Sequence, residues 1–180
     1  MKRFFLIPAF TLFFIFCYSQ KKSDTLRRVY PNNSIYLELG GNGIYFGSLN
    51  FERILLHRKF YYLSVRGGIG GGYIPIPPSE SMISFPLLIN SIFQVHNGLA
   101  VEAGTGISWM LVGTEEGESS QLGIWDNGNA PVPTGMVGFR YQAEKGFLLR
   151  INFTPFTNFK EIFYFFGISF GYSFPRKHHQ

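Results

Sequence analysis

Residues 99–109 read Leu-Ala-Val-Glu-Ala-Gly-Thr-Gly-Ile-Ser-Trp, and residues 163–174 read Phe-Tyr-Phe-Phe-Gly-Ile-Ser-Phe-Gly-Tyr-Ser-Phe. Both alternate with a two-residue period, the pattern of a strand whose two faces meet different surroundings. In the first, Leu99, Val101, Ala103, Thr105, Ile107 and Trp109 share one face, while Ala100, Glu102, Gly104, Gly106 and Ser108 share the other. In the second, Phe166, Ile168, Phe170, Tyr172 and Phe174 oppose Gly167, Ser169, Gly171 and Ser173. The bulky residues lie on the apolar face, and the polar face is narrow.

Working outward, the same pattern recurs along the chain. Strands are predicted at 34–41, 43–52, 60–70, 83–95, 99–111, 133–142, 146–154 and 163–174. Most approach the ~9–11 residues that a strand tilted near 45° needs to cross a bilayer. Tight turns at His96-Asn97-Gly98 and Ala143-Glu144-Lys145, and a longer one from Arg53 to Lys59, mark one end. Longer connections at 71–82, 112–132 and 155–162 mark the other, with a short one near Asn42. An even number of strands puts both chain ends on the tight-turn side. The fold expected is all-β: an eight-stranded antiparallel up-and-down transmembrane β-barrel.

The residue types assign the faces. Eight strands enclose a lumen just wide enough for side chains, and 21 Phe and 10 Tyr would overfill it. The mature lysines Lys21, Lys22, Lys59, Lys145, Lys160 and Lys177 all fall outside the predicted strands, although a water-facing strand surface would carry some. The apolar face is therefore expected to meet lipid. Aromatics group by depth. Phe51, Tyr61, Tyr141, Phe147, Tyr172 and Phe174 are placed at the tight-turn ends, and Tyr45, Trp109, Phe153 and Phe166 at the loop ends. Two girdles around an aliphatic band are expected at the two interfaces.

Residues 1–19 read as a secretory signal peptide. Lys2 and Arg3 precede an apolar run from Phe4 to Phe16, and Cys17-Tyr18-Ser19 ends in small residues at the cleavage positions. Residues 20–33 form a polar periplasmic lead-in, 34–174 the barrel and 175–180 a C-terminal tail. Cleavage removes the single cysteine, so no disulfide is expected. Beyond the leader no run of ~18 apolar residues offers a helical span. The formal charge is +5, of which Lys2 and Arg3 supply two, and the remaining cations are scattered. That excludes a nucleic-acid groove.

The inward set holds Glu38, Glu52, Arg66, Glu102, Arg140 and Arg150, with Asn50 and Asn90. A charged passage and a catalytic cluster are alternatives to a salt-bridged plug. The near-cancelling charges favour the plug, because isolated buried charges are costly. A lipid-modifying enzyme would need a base near the loop-end rim. His57 and His96 fall in tight turns, and His178 and His179 in the tail. No catalytic residue, cofactor or metal site is assigned. Gly67-Gly68-Ile69-Gly70-Gly71-Gly72 lacks the helix and the Lys-Ser/Thr of a phosphate loop, and reads as a strand end bending into a loop. Glu115, Glu116, Glu118, Trp125 and Asp126 make the longest loop the candidate surface for a partner.

Several stretches resemble small exported barrels of Bacteroidota. They are Leu39–Gly43 with Ser48–Arg53, Gly138–Gln142, Phe147–Pro155 and Gly167–Phe174. The resemblance covers about 34–174. It implies an outer-membrane barrel whose insertion machinery reads Gly-Tyr-Ser-Phe ending at Phe174, although Pro175–Gln180 follow. It implies no activity. The function expected is a structural or interaction barrel in the outer membrane, in contact with its lipid. The alternatives are a soluble periplasmic barrel binding a hydrophobic ligand, and a lipid-modifying enzyme.

Overall fold

The computed structural model describes residues 31–43, 47–74, 80–114, 128–143, 145–157, 159 and 161–174. The strands are β1 (Asn33–Gly40), β2 (Ser48–His57), β3 (Tyr61–Ile74), β4 (Glu80–His96), β5 (Leu99–Thr114), β6 (Gly128–Gln142), β7 (Phe147–Thr157) and β8 (Ile162–Phe174). Each pairs antiparallel with the next, and β1 pairs with β8, giving a closed eight-stranded barrel. Closure satisfies every strand's neighbours and leaves no full-length edge.

The register fixes the barrel's shape. A walk across hydrogen-bonded neighbours from Ser173 runs through Ser34, Glu52, Arg66, Leu88, Gly106, Thr134 and Phe156 to Phe163. It returns to β8 ten residues before its start. Eight strands with that stagger tilt by roughly 40°, so each residue adds about 2.5 Å of height.

Several sequence expectations are corrected. β2 runs to His57 rather than ending at Glu52, so Arg53 belongs to the strand and the turn shrinks to 58–60. Phe51 is consequently mid-strand and not at the tight-turn end. β3 continues through the glycine-rich segment to Ile74 instead of bending out at Gly70, because β4 begins at Glu80 and pairs with it. β5 extends to Thr114 and β6 begins at Gly128, through Pro131 and Pro133. β7 and β8 reach Thr157 and Ile162, leaving a short connection. His57 and His96 end β2 and β4 and are not turn residues.

Prolines inside strands ordinarily argue against them. Here each falls where no ladder bond is lost. In β6, Gln142 donates its N–H to Gly98 on the β5 side, so odd-numbered residues direct theirs towards β7. The ladder with β7 stops at Thr134↔Phe156, leaving Pro131 and Pro133 on a free margin. Pro86 lies where the β3–β4 ladder, in unchanged register, lacks pairs between Gly67↔Leu87 and Gly70↔Ser84, and Pro155 where the β6–β7 ladder lacks pairs between Thr134↔Phe156 and Val137↔Phe153.

The faces follow the alternation. Among the described residues, thirty-two large hydrophobic side chains are exposed, including Phe85, Leu87, Phe139, Ile151, Phe166 and Ile168. Among the described strand residues, Arg53 is the one Asp, Glu, Lys or Arg on this outward face. The tight-turn ring holds Tyr61, Phe93, Tyr141, Phe147, Tyr172 and Phe174. Phe85, Trp109, Tyr164 and Phe166 lie roughly 20 Å above it at the register's tilt. Tyr61 and Phe93 are in ring contact at 5.1 Å, as are Phe153 and Phe166 at 5.3 Å. Tyr45 lies outside the described residues.

The inward face is not uniformly small. Tyr36, Tyr62, Leu88, Ile92, Met110, Met136, Leu148 and Phe156 are all buried within it. Inward glycines make the room. A Cβ on Gly171 would strike Tyr36 and the Ile35 carbonyl, and one on Gly104 would strike Asn90. Gly171→Val is expected to destabilise the folded barrel by about 1–3 kcal/mol through overpacking. A lowered urea midpoint of the detergent-refolded protein is the measurement, and an unchanged midpoint contradicts the packing.

Candidate functional site

The candidate site is the lumen, stacked in three layers. At the tight-turn end Ile54, Tyr62, Ile92 and Ala100 form an apolar floor. Tyr62 donates its hydroxyl to Gln94 Oε1 at 3.2 Å. Beside it, Ser173 donates to Gln142 Oε1 at 2.8 Å, and Ser34 and Ser173 share a 2.7 Å hydrogen bond.

The middle layer gathers all six charged residues singled out from the sequence. Their side chains are fully buried. Arg66 pairs with Glu38 at 2.7 Å, Arg140 with Glu52 at 2.5 Å and Arg150 with Glu102 at 2.6 Å. Arg140 also lies 3.9 Å from Glu102, joining two pairs into one chain of charge. Neutral donors and acceptors add to it. Ser64 donates to Glu52 at 2.7 Å, and Arg66 Nε donates to Asn50 Oδ1 at 3.1 Å. Asn90 donates to Glu52 at 3.4 Å. Three anions and three cations cancel, which is what makes such a layer tolerable without water.

Three residues that sequence reasoning missed organise this layer. The Tyr36 ring has two guanidinium groups over it, with the centroid 4.7 Å from Arg150 Cζ and 5.6 Å from Arg66 Cζ, contacts favoured by the ring's quadrupole. Met136 presents its sulfur to Arg150 Nη2 at 3.3 Å. Both share the inward parity of Glu38 and Arg140, so alternation could have placed them inside. Asn42 could not have been found that way, because it lies beyond the strand.

Asn42 caps the layer. Gly40 and Gly41, at φ +70° and +56°, turn the chain sharply, and Gly41–Gly43 form one 3-10 turn that dips into the lumen. Asn42 is buried and donates its N–H to Glu38 Oε1 at 2.8 Å. Its Oδ1 accepts from Thr134 at 2.8 Å. Gly167 provides space below: a Cβ there would meet Gly41 Cα at 3.1 Å.

Above this turn lies an apolar roof of Met82, Met110, Val132 and Phe156, packed with Val112, Phe163 and Phe165. Phe156 stacks on Phe163 and on Phe165, each at 5.3 Å. The stack ties β7 to β8 at the loop end.

Among the described residues no group of three or more His, Cys, Asp or Glu comes together in a way that could hold a metal ion. Glu115, Glu116, Glu118, Trp125 and Asp126 lie outside the described residues, as do His178, His179, the signal peptide, residues 20–30 of the lead-in and the tail.

No protein-family model matches the chain. No curated protein matches it either. Among solved structures it is similar to the Yersinia pestis outer membrane protein Ail, determined in a phospholipid bilayer nanodisc. Identity is 8% over 80% of this chain and 99% of that one, with a TM-score of 0.49. It is also similar to Neisserial surface protein A, with 11% identity over 79% of this chain and 93% of that one and a TM-score of 0.47.

Glu102→Gln removes one anion from a net-neutral layer and is expected to destabilise the barrel by about 3–5 kcal/mol. Replacing the pair together, Glu102→Leu with Arg150→Met, is expected to recover most of that loss. Urea midpoints of the three proteins in one detergent give the comparison.

Proposed function

We propose that this chain is an integral outer-membrane β-barrel with a filled lumen, acting as a structural or interaction protein that presents its loop-end connections outward. One observation carries the reading: a closed barrel covered all round by large hydrophobic side chains. A monomer in water rarely exposes a contiguous apolar patch above a few hundred Å². Here the apolar surface, aromatic rings included, is a belt roughly 25 Å tall, the height of a barrel's lipid-facing band. Leu87, Val101, Val137, Ile151 and Ile168 lie between the rings. A bilayer core has no water for open backbone groups, so only a closed ladder serves there.

The filled interior argues for anchoring and display over transport. The floor, the ionic layer with its Asn42 cap and the roof each cross the lumen. They also leave a soluble barrel's hydrophobic ligand nowhere to bind. The tight-turn end, where β1 begins and β8 ends, would face the periplasm. Lipid is then the constant partner, and insertion machinery reading the segment that ends at Phe174 is the transient one.

Membranes carrying the protein should retain it through carbonate washing, and the unboiled protein should migrate differently from the boiled one on a denaturing gel. Full carbonate extraction with identical mobility overturns the reading. Ile151→Arg, near mid-height, should cost roughly 2–4 kcal/mol and reduce the folded band. Planar-bilayer recordings should show no steady ionic conductance, and a stable open channel overturns the filled-lumen part alone.

A further inference from the structure

The segment Arg53-Ile-Leu-Leu-His-Arg-Lys-Phe60 is the least explained surface of the barrel. The β1 ladder ends at Asn33↔Arg53, and the last backbone bond on that side runs from Ile54 N–H to Asn32. Beyond it β2 has no partner on the β1 side among the described residues, while β3 stays paired with β4 as far as Phe60, whose carbonyl accepts from the Gln94 N–H. A bulge between Ile54 and Leu56 breaks the alternation, so that Leu55 and Leu56 are both exposed, as is Phe60. Bulges of this kind re-aim side chains.

Cations are interleaved with these apolar groups. Arg53, Arg58 and Lys59 are exposed, and residues 53–62 contain no Asp or Glu. The Lys59 ammonium lies 5.5 Å from the centre of the Phe60 ring. At the register's tilt, Arg58 and Lys59 fall roughly 6 Å outside the ring of Tyr61, Phe147 and Phe174, and Arg53 roughly 6 Å inside it. An arginine stem spans about that distance when it snorkels. The Arg53 charge can therefore reach the level of the aromatic ring, with Arg58 and Lys59 just outside it.

We propose that this hairpin is a binding site for the phosphate headgroups of anionic phospholipids in the leaflet at the tight-turn end. Leu55, Leu56 and Phe60 enter the acyl-chain boundary, while Arg53, Arg58 and Lys59 hold the phosphates. The proposal rests on the membrane reading above. Charge complementarity selects the lipid: a zwitterionic headgroup offers its own cation to this cluster, and an anionic one does not. Each cation near an anionic surface is worth roughly fivefold in partitioning.

The test is native mass spectrometry of the full chain, refolded in detergent micelles with equimolar phosphatidylglycerol and phosphatidylcholine. Phosphatidylglycerol adducts should exceed phosphatidylcholine adducts severalfold. The preference should collapse towards parity in the triple variant Arg53→Gln, Arg58→Gln, Lys59→Gln, and survive in Lys145→Gln. Equal retention by the wild-type barrel, or an undiminished preference in the triple variant, overturns the proposal alone. So does polyglutamate binding that the triple variant abolishes in a barrel without lipid preference, which marks an acidic protein partner. A chain that stays monodisperse in water without detergent removes the membrane reading, and this inference with it.

Discussion

The governing constraint is the width of a closed ladder of eight strands with a stagger of ten residues. Such a ring holds a narrow column, a few side chains wide at each level. Each inward position is therefore chosen against its neighbours, and at several places a large residue sits beside a glycine. Tyr36 faces Gly171 across the β1–β8 ladder, and Asn90 faces Gly104 across β4–β5. The aromatics that the column cannot hold must face out. The apolar exterior and the crowded interior are two results of one geometry.

The ionic layer follows from the same constraint. Long arginine side chains fill a cylinder that backbone-hugging aliphatics would leave hollow, and their charges then require anions at matching height. Glu38, Glu52 and Glu102 come from β1, β2 and β5, while Arg66, Arg140 and Arg150 come from β3, β6 and β7. Each pair bridges strands distant in sequence, so the layer can form only when the barrel closes. By that argument it selects the closed register over slipped alternatives. Breaking one pair leaves a stranded charge, whereas removing a whole pair leaves only a packing problem.

Much of this was legible in the sequence because period-two alternation is a local signal. The faces of β5, β7 and β8, and the gathering of the six charged residues inside, follow from parity alone. Strand ends were less legible. Pro131, Pro133 and the glycines of 67–72 carry breaker chemistry, and only the neighbouring strand's position reveals whether a ladder bond is at stake there. Asn42 was beyond reach for a different reason. Its burial depends on two left-handed glycines folding the turn inward and on space left by Gly167, a strand far away in sequence. The apolar floor and roof were missed because Ile54, Met82, Val132 and Phe156 fell within expected connections, where no alternation assigns a face.

The loop end shows how a closed barrel grows beyond its own closure. β4, β5 and β6 continue past the aromatic ring, but β7 pairs with β6 only as far as Thr134↔Phe156. The extension therefore has an open margin at β6, where an unpaired strand would invite another chain. Pro131 and Pro133 stand on that margin, with their nitrogens turned to the open side, so the donors a pairing strand would seek are absent. Beneath them Val132 packs into the roof with Met110 and Phe156. One short run, Pro131-Val132-Pro133, thus seals the lumen with its inward residue and blunts the edge with its outward ones. A surface that presents loops in this way can be tall without becoming adhesive along its side.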